Sequence, residues 1–128
     1  MGYTHYWKHR GFTDSQWNDL TSEADRIIRS SAVPLAGGNG VKGTSPVINE
    51  EKVCFNGVED DSHETFILTK RPQEFEFCKT ALKPYDSVVV AIMQWAATVN
   101  PNFDPSSDGD PGVFKFDGGD VIRDYYHH

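Results

Sequence analysis

Cysteine is scarce in this chain: Cys54 and Cys78 are the only two among 128 residues. That excludes the disulfide framework on which many small secreted domains rely. Long apolar runs are missing too. The longest, Val88 to Met93, has six residues, against the ~20 that a membrane-spanning helix needs. Met1 to Arg10 is polar and aromatic and lacks the apolar centre of a secretory signal. The expectation is a cytoplasmic protein with two free thiols and no membrane partner. Basic residues are outnumbered, 12 against 19 acidic, for a formal charge of −7. A duplex nucleic-acid binder needs a broad basic face, so that class is excluded.

Motifs for metals and nucleotides are incomplete as well. His63-Glu64 has no second histidine at zinc-protease spacing. His5 and His9 share a strand face but lie ~13 Å apart at ~3.3 Å per residue, too far to hold one metal. Asp108-Gly109-Asp110 has no later glutamate at calcium-loop spacing. The loop Gly37 to Thr44 has Lys42 where a phosphate loop needs glycine. No metal and no cofactor are implied.

What is present suits one domain over 1–128, because roughly 100–200 residues is the usual domain size. Tyr3 to Lys8 alternates, with Tyr3, His5 and Trp7 on one face and Thr4, Tyr6 and Lys8 on the other, which predicts a strand. Thr13, with Gln16 three positions on, forms a capping box. Trp17, Leu20, Ala24, Ile27 and Ile28 then make a helical stripe to about Ser31. Strands are predicted at Pro46 to Asn49, Lys52 to Asn56, His63 to Thr69 and Phe75 to Thr80, with Gly57 as a turn. Pro84 at the first helical position and Asp86 in the first turn open a second helix. Tyr85, Val88, Val89, Ile92, Trp95, Ala96 and Val99 carry its stripe, and Asn100-Pro101 ends it. From about 101 the chain is rich in Gly, Asp and Pro, with Phe103 and Val113 to Phe116 as strand pieces. This order predicts an α+β fold: one mostly antiparallel sheet with two helices on one face, of which an elaborated βαββαβ, ferredoxin-like arrangement is one form.

The chemistry concentrates where the last long strand enters the second helix. A helix N-terminus exposes N–H groups that attract anions. Lys79, Thr80, Lys83 and Tyr85 gather there, and Lys70 and Arg71 come from the preceding strand end. This points to a pocket for phosphate or another anion; the plain alternative is solvated lysines and a helix already capped by Asp86. If Phe75 and Phe77 face the helices, Cys78 lies on the free sheet face. There, near Lys79, it becomes a candidate nucleophile with His63 or His5 as base; small strand cysteines are more often packing residues. The aromatics Tyr3, Tyr6 and Trp7 offer a stacking platform beside their packing role.

Four stretches together carry a family resemblance: Gly2-Tyr3-Thr4-His5-Tyr6-Trp7, His63-Glu64-Thr65-Phe66, Phe77-Cys78-Lys79-Thr80-Ala81 with Lys83-Pro84-Tyr85-Asp86, and Ser106-Ser107-Asp108-Gly109. The chain resembles a family of small uncharacterised proteins of tailed phages and bacteria. The resemblance implies a phage setting, the host cytoplasm as location, and a shared polar site. The segment after Gly109 departs from it, being less acidic and less helical than the family's tail.

Three readings follow. The leading one is a protein that binds and sequesters a small phosphorylated ligand, a nucleotide defence signal by analogy. Its candidate site comprises Tyr3, His5, Trp7, His63, Glu64, Cys78, Lys79, Thr80, Lys83, Tyr85 and Asp86. The second is a hydrolase or phosphodiesterase on a similar ligand, with His5 or His63 as acid or base oriented by Glu64 or Asp86. The third is a protein-interaction or virion component using exposed aromatics. Self-association is compatible with all three.

Overall fold

The computed structural model describes residues 3–108. The element order is β1 (Thr4–His9), α1 (Asp14–Ser30), β2 (Val47–Ile48), β3 (Lys52–Phe55), a single 3-10 turn (Glu59–Asp61), β4 (Phe66–Thr69), β5 (Gln73–Lys79), α2 (Asp86–Val99) and β6 (Asp104–Ser107). The predicted strand at Val113 to Phe116 lies outside the described residues. The fold is α+β, but the strands form two three-stranded antiparallel sheets rather than one. Their orders are β5-β1-β6 and β2-β3-β4.

The sheets part between β4 and β5, where Gln73 does the work of a main-chain ladder. Its Oε1 accepts from Thr69 N at 3.2 Å, and its Nε2 donates to Ile67 O at 3.3 Å. The same Oε1 accepts from Trp7 Nε1 at 3.0 Å and is 3.1 Å from His9 Nε2. His9 Nδ1 accepts from Gly11 N at 2.9 Å, so the ring proton belongs on Nε2, facing Gln73. Burial pushes the His9 pKa down, partly opposed by that Gln73 bond.

Helix α1 starts as its sequence dictates. Thr13 Oγ1 accepts from Gln16 N at 3.1 Å, and Gln16 Oε1 accepts from Thr13 N at 2.9 Å. Trp17, Leu20, Ala24 and Ile27 are buried. Helix α2 begins at Asp86, with Pro84 in the turn before it. It is buried over most of its circumference, since Ala91, Met93 and Gln94 are covered as fully as Val88, Val89 and Ile92. That is the burial of a central core helix rather than of a one-sided surface helix.

The two sheets and both helices share one core. Val53 pairs with Leu68 and Phe55 with Phe66, so these four lie on one sheet face, all fully buried. In the other sheet His5, Trp7, Cys78 and Thr80 turn inward, while Phe75 and Phe77 are 62% and 53% exposed. This reverses the expected orientation of β5. Register supplies the reason. His5 pairs with Cys78 and Tyr6 with Phe77, and opposed residues in an antiparallel pair share a face. The face that carries Trp7 into the core therefore carries Cys78 with it. Tyr6 stacks on Phe75 at 5.8 Å on the outer side. No helix among the described residues is long and apolar enough to cross a membrane.

Candidate functional site

Residues from the four motifs meet at one end of the sheet β5-β1-β6. His5 is paired across β1 with Cys78 on one side and Ser107 on the other, giving an inward row Cys78, His5, Ser107. His5 is fully buried. Its Nδ1 lies 2.6 Å from Ser107 Oγ and its Nε2 2.6 Å from Asp86 Oδ1. The Thr80 hydroxyl donates to the same Asp86 oxygen at 2.5 Å. The carboxylate can only accept, so the proton of a neutral His5 sits on Nε2, and the Nδ1 lone pair is left to accept from Ser107. Tyr3 closes the ring edge-on, with centroids 5.0 Å apart. The Asp86 side chain keeps 18% of its surface exposed, and Ser107 is half-buried.

A tight turn delivers Asp86 to this place. Ala81 and Leu82 both adopt left-handed backbone, with φ of 53° and 57°. Two consecutive non-glycine residues there cost free energy that surrounding contacts must offset. Those contacts are main-chain bonds from Thr80 N and Ala81 N to Tyr3 O, at 3.0 and 3.2 Å. The turn then continues from Lys83 N to Thr80 O and from Asp86 N to Lys83 O, both 2.9 Å. Val88 N and Val89 N bond Tyr85 O. The amides expected to greet an anion at α2 are in large part already engaged, and Asp86 brings a negative charge to the helix end.

Glu64 ties the second motif to the others. Its carbonyl accepts from Tyr85 OH at 2.6 Å and from Cys78 Sγ at 3.4 Å. Its carboxylate accepts from Lys79 N at 2.7 Å. Tyr85 is fully buried and Trp7 nearly so, so neither ring offers a stacking surface. Burial raises the Tyr85 phenol and pushes the Cys78 thiol up to about 12, a Tyr85 hydrogen bond partly opposing the latter. Cys78 is thus a packing residue and not a nucleophile at neutral pH. Cys54 is also free and buried, its thiol raised mainly by burial. At pH 8 a thiol of pKa about 12 is ionised in roughly one molecule in ten thousand. Native protein should therefore leave Cys78 unlabelled by iodoacetamide, and denatured protein should label both cysteines. Rapid native labelling of Cys78 would contradict its packed position.

His63 is exposed, and its backbone is held by Asn56, which accepts from His63 N at 3.0 Å and donates to His63 O at 2.9 Å. It joins no hydrogen bond with His5. Lys79 and Lys83 are half-buried beside the cluster, and neither ammonium forms an ion pair among the described residues. Lys70 and Arg71 are not part of this site. They sit at the opposite end of β5, where Phe12 N bonds Lys70 O and the Lys70 ammonium meets Asp14. Ser107 and Asn56 are the participants that residue-by-residue reading of chemistry missed. Ser107 stands in a quoted motif, but its role depends on β1–β6 register; Asn56 reads locally only as part of an Asn-Gly turn. Among the described residues no three His, Cys, Asp or Glu side chains group as a metal site requires.

No protein-family model, no curated protein and no solved structure matches the chain.

Proposed function

We propose that the protein is a hydrolase acting on a small phosphodiester ligand through Ser107, His5 and Asp86. The observation that carries this reading is the unbroken chain from Ser107 Oγ through His5 to Asp86 Oδ1, 2.6 Å at each link. It joins a hydroxyl, a base and an orienting carboxylate, the three roles of a serine nucleophile system. Here the ring nitrogens exchange roles, with Nδ1 toward the serine. In the first step Ser107 Oγ attacks phosphorus, its proton passes to His5 Nδ1, and the leaving alcohol takes that proton as its P–O bond breaks. Water then attacks the phosphoryl-serine and gives a proton to His5; as the P–O bond to Ser107 breaks, Ser107 Oγ takes that proton from His5, and the phosphate monoester leaves. Asp86 holds the ring and balances the imidazolium. Lys83, in the turn that delivers Asp86, supplies positive charge at the same end of the sheet; Lys79 alternates with Cys78 and lies on the outer face.

Bis(p-nitrophenyl) phosphate is the probe of turnover, and a fluorophosphonate is the probe of the nucleophile. Wild-type protein should release nitrophenol and take a single label on Ser107, found by peptide mass spectrometry. Ser107→Ala should lose on the order of 10⁶-fold in rate while keeping its circular dichroism. No turnover together with an unlabelled Ser107 makes the chain a structural tie. Recovery of a nucleotide from the protein unchanged after heating would mean that the protein sequesters its ligand and does not cleave it.

A further inference from the structure

At the end of the molecule away from His5, the turn joining β1 to α1 faces the turn joining β4 to β5 across a cavity of about 570 Å³. That size suits a small molecule. Arg10, Lys70 and Arg71 line it together with Phe12, Thr13 and Pro72, and no acidic residue among the described residues does. This is unexpected in a chain with 19 acidic and 12 basic residues. Arg10 and Arg71 are exposed, and neither enters an ion pair among the described residues. The Lys70 ammonium is partly neutralised by Asp14, so the two guanidinium groups are the uncompensated charges. Glu50 and Glu51 line a separate cavity on the other side of Lys70 and Arg71. A third, shared along Arg10 and Pro72, contains Glu74 and Asp104.

The walls are held by the fold. Phe12 N bonds Lys70 O at 2.9 Å, and Asn100 Nδ2 donates to Gly11 O at 3.0 Å. Gly11 has φ +99°, and a Cβ there would meet the Pro72 ring at 3.3 Å. The two turns approach closely because this residue has no side chain. Helix α1 starts at the cavity wall, but Asp14 in its first turn and the Thr13–Gln16 capping box already answer its dipole, so the arginines carry the positive charge.

We propose that this cavity binds a small phosphorylated molecule, its phosphate held between the Arg10 and Arg71 guanidinium groups and its body lying against Pro72. Guanidinium forks match phosphate oxygens in pairs, which a lysine ammonium does not do. The site is independent of the Ser107–His5–Asp86 chain and stands or falls without it.

Titration calorimetry at fixed ionic strength tests it, with inorganic pyrophosphate, adenosine monophosphate and succinate as probes. Wild-type protein should bind pyrophosphate and the nucleotide, and bind succinate more weakly. Arg10→Ala and Arg71→Ala should each weaken binding about tenfold or more, by loss of one charge-assisted contact. Both positions are exposed, so both variants should melt like the wild type. Lys42→Ala, which removes a charge elsewhere on the surface, should bind as the wild type does. Undiminished binding in both arginine variants, an equal loss in Lys42→Ala, equal affinity for succinate, or no binding at millimolar probe would each overturn the proposal.

Discussion

Ile92→Asp is expected to abolish cooperative unfolding, because the variant should have no stable folded state. Ile92 is fully buried in the middle of α2, among Val88, Val89 and Ala96. Truncating a buried aliphatic side chain costs about 2–5 kcal/mol. Placing an unpaired carboxylate there adds several kcal/mol more, whether it stays charged or takes up a proton. The sum reaches the ~5–15 kcal/mol that holds a domain of this kind together. Ile92→Val removes only one methyl group and should cost about 1 kcal/mol. Thermal melts by circular dichroism compare the two. A wild-type melt for Ile92→Asp would mean that α2 does not occupy the core.

Asp86→Ala is expected to lower the melting temperature by roughly 10–20 °C. The carboxylate oxygen Oδ1 accepts from His5 Nε2 and from the Thr80 hydroxyl, and His5 and Thr80 are both fully buried. Removing the acceptor strands two buried polar groups at about 1–3 kcal/mol each. It also removes an anion from the first turn of α2, where the helix dipole favours one. Asp86→Asn keeps a carbonyl oxygen in place and should recover much of the loss. Ser107→Ala should cost far less, since that hydroxyl is half-buried and water can replace part of its contact. The three variants therefore separate stability from turnover. Asp86→Ala loses both, whereas Ser107→Ala loses turnover alone. If Asp86→Ala melts with the wild type, the buried network contributes little to the fold.

Much of the architecture is legible in the sequence. The Thr13–Gln16 capping box and the stripe from Trp17 to Ile27 define α1 to within a residue at each end. The stripe from Tyr85 to Val99 marks α2 and its end, because such signals are local and repeat every turn, but not its start: Pro84 lies in the preceding turn instead of at the first helical position, and Tyr85 is the N-cap. Alternation likewise placed β1 and most of β5. It does not say which face points inward, and β5 shows the consequence. Phe75 and Phe77 are more apolar than Cys78, yet they face out. β1 has to bury Trp7, and the register pairs His5 with Cys78.

The proposed site divides in the same manner. The residue types at His5, Asp86, Thr80 and Glu64 marked a polar site, and those residues do come together. The basic cluster did not survive as one group: Lys79 and Lys83 stay at the α2 end, while Lys70 and Arg71 join Arg10 at the other. A β-strand runs ~3.3 Å per residue, so the length of β5 alone separates them. The sequence by itself determined the helices, their caps, the antiparallel character and the polar nature of the motif residues, because these depend on neighbours within a few positions. Tertiary structure decided the division into two sheets, which the Gln73 side chain and the main-chain bond from Glu64 N to Lys79 O bridge between β4 and β5. It also decided the meeting of His5 with Ser107, 102 positions apart. Strand register sets such contacts, and register is chosen by burial of the whole inner face at once.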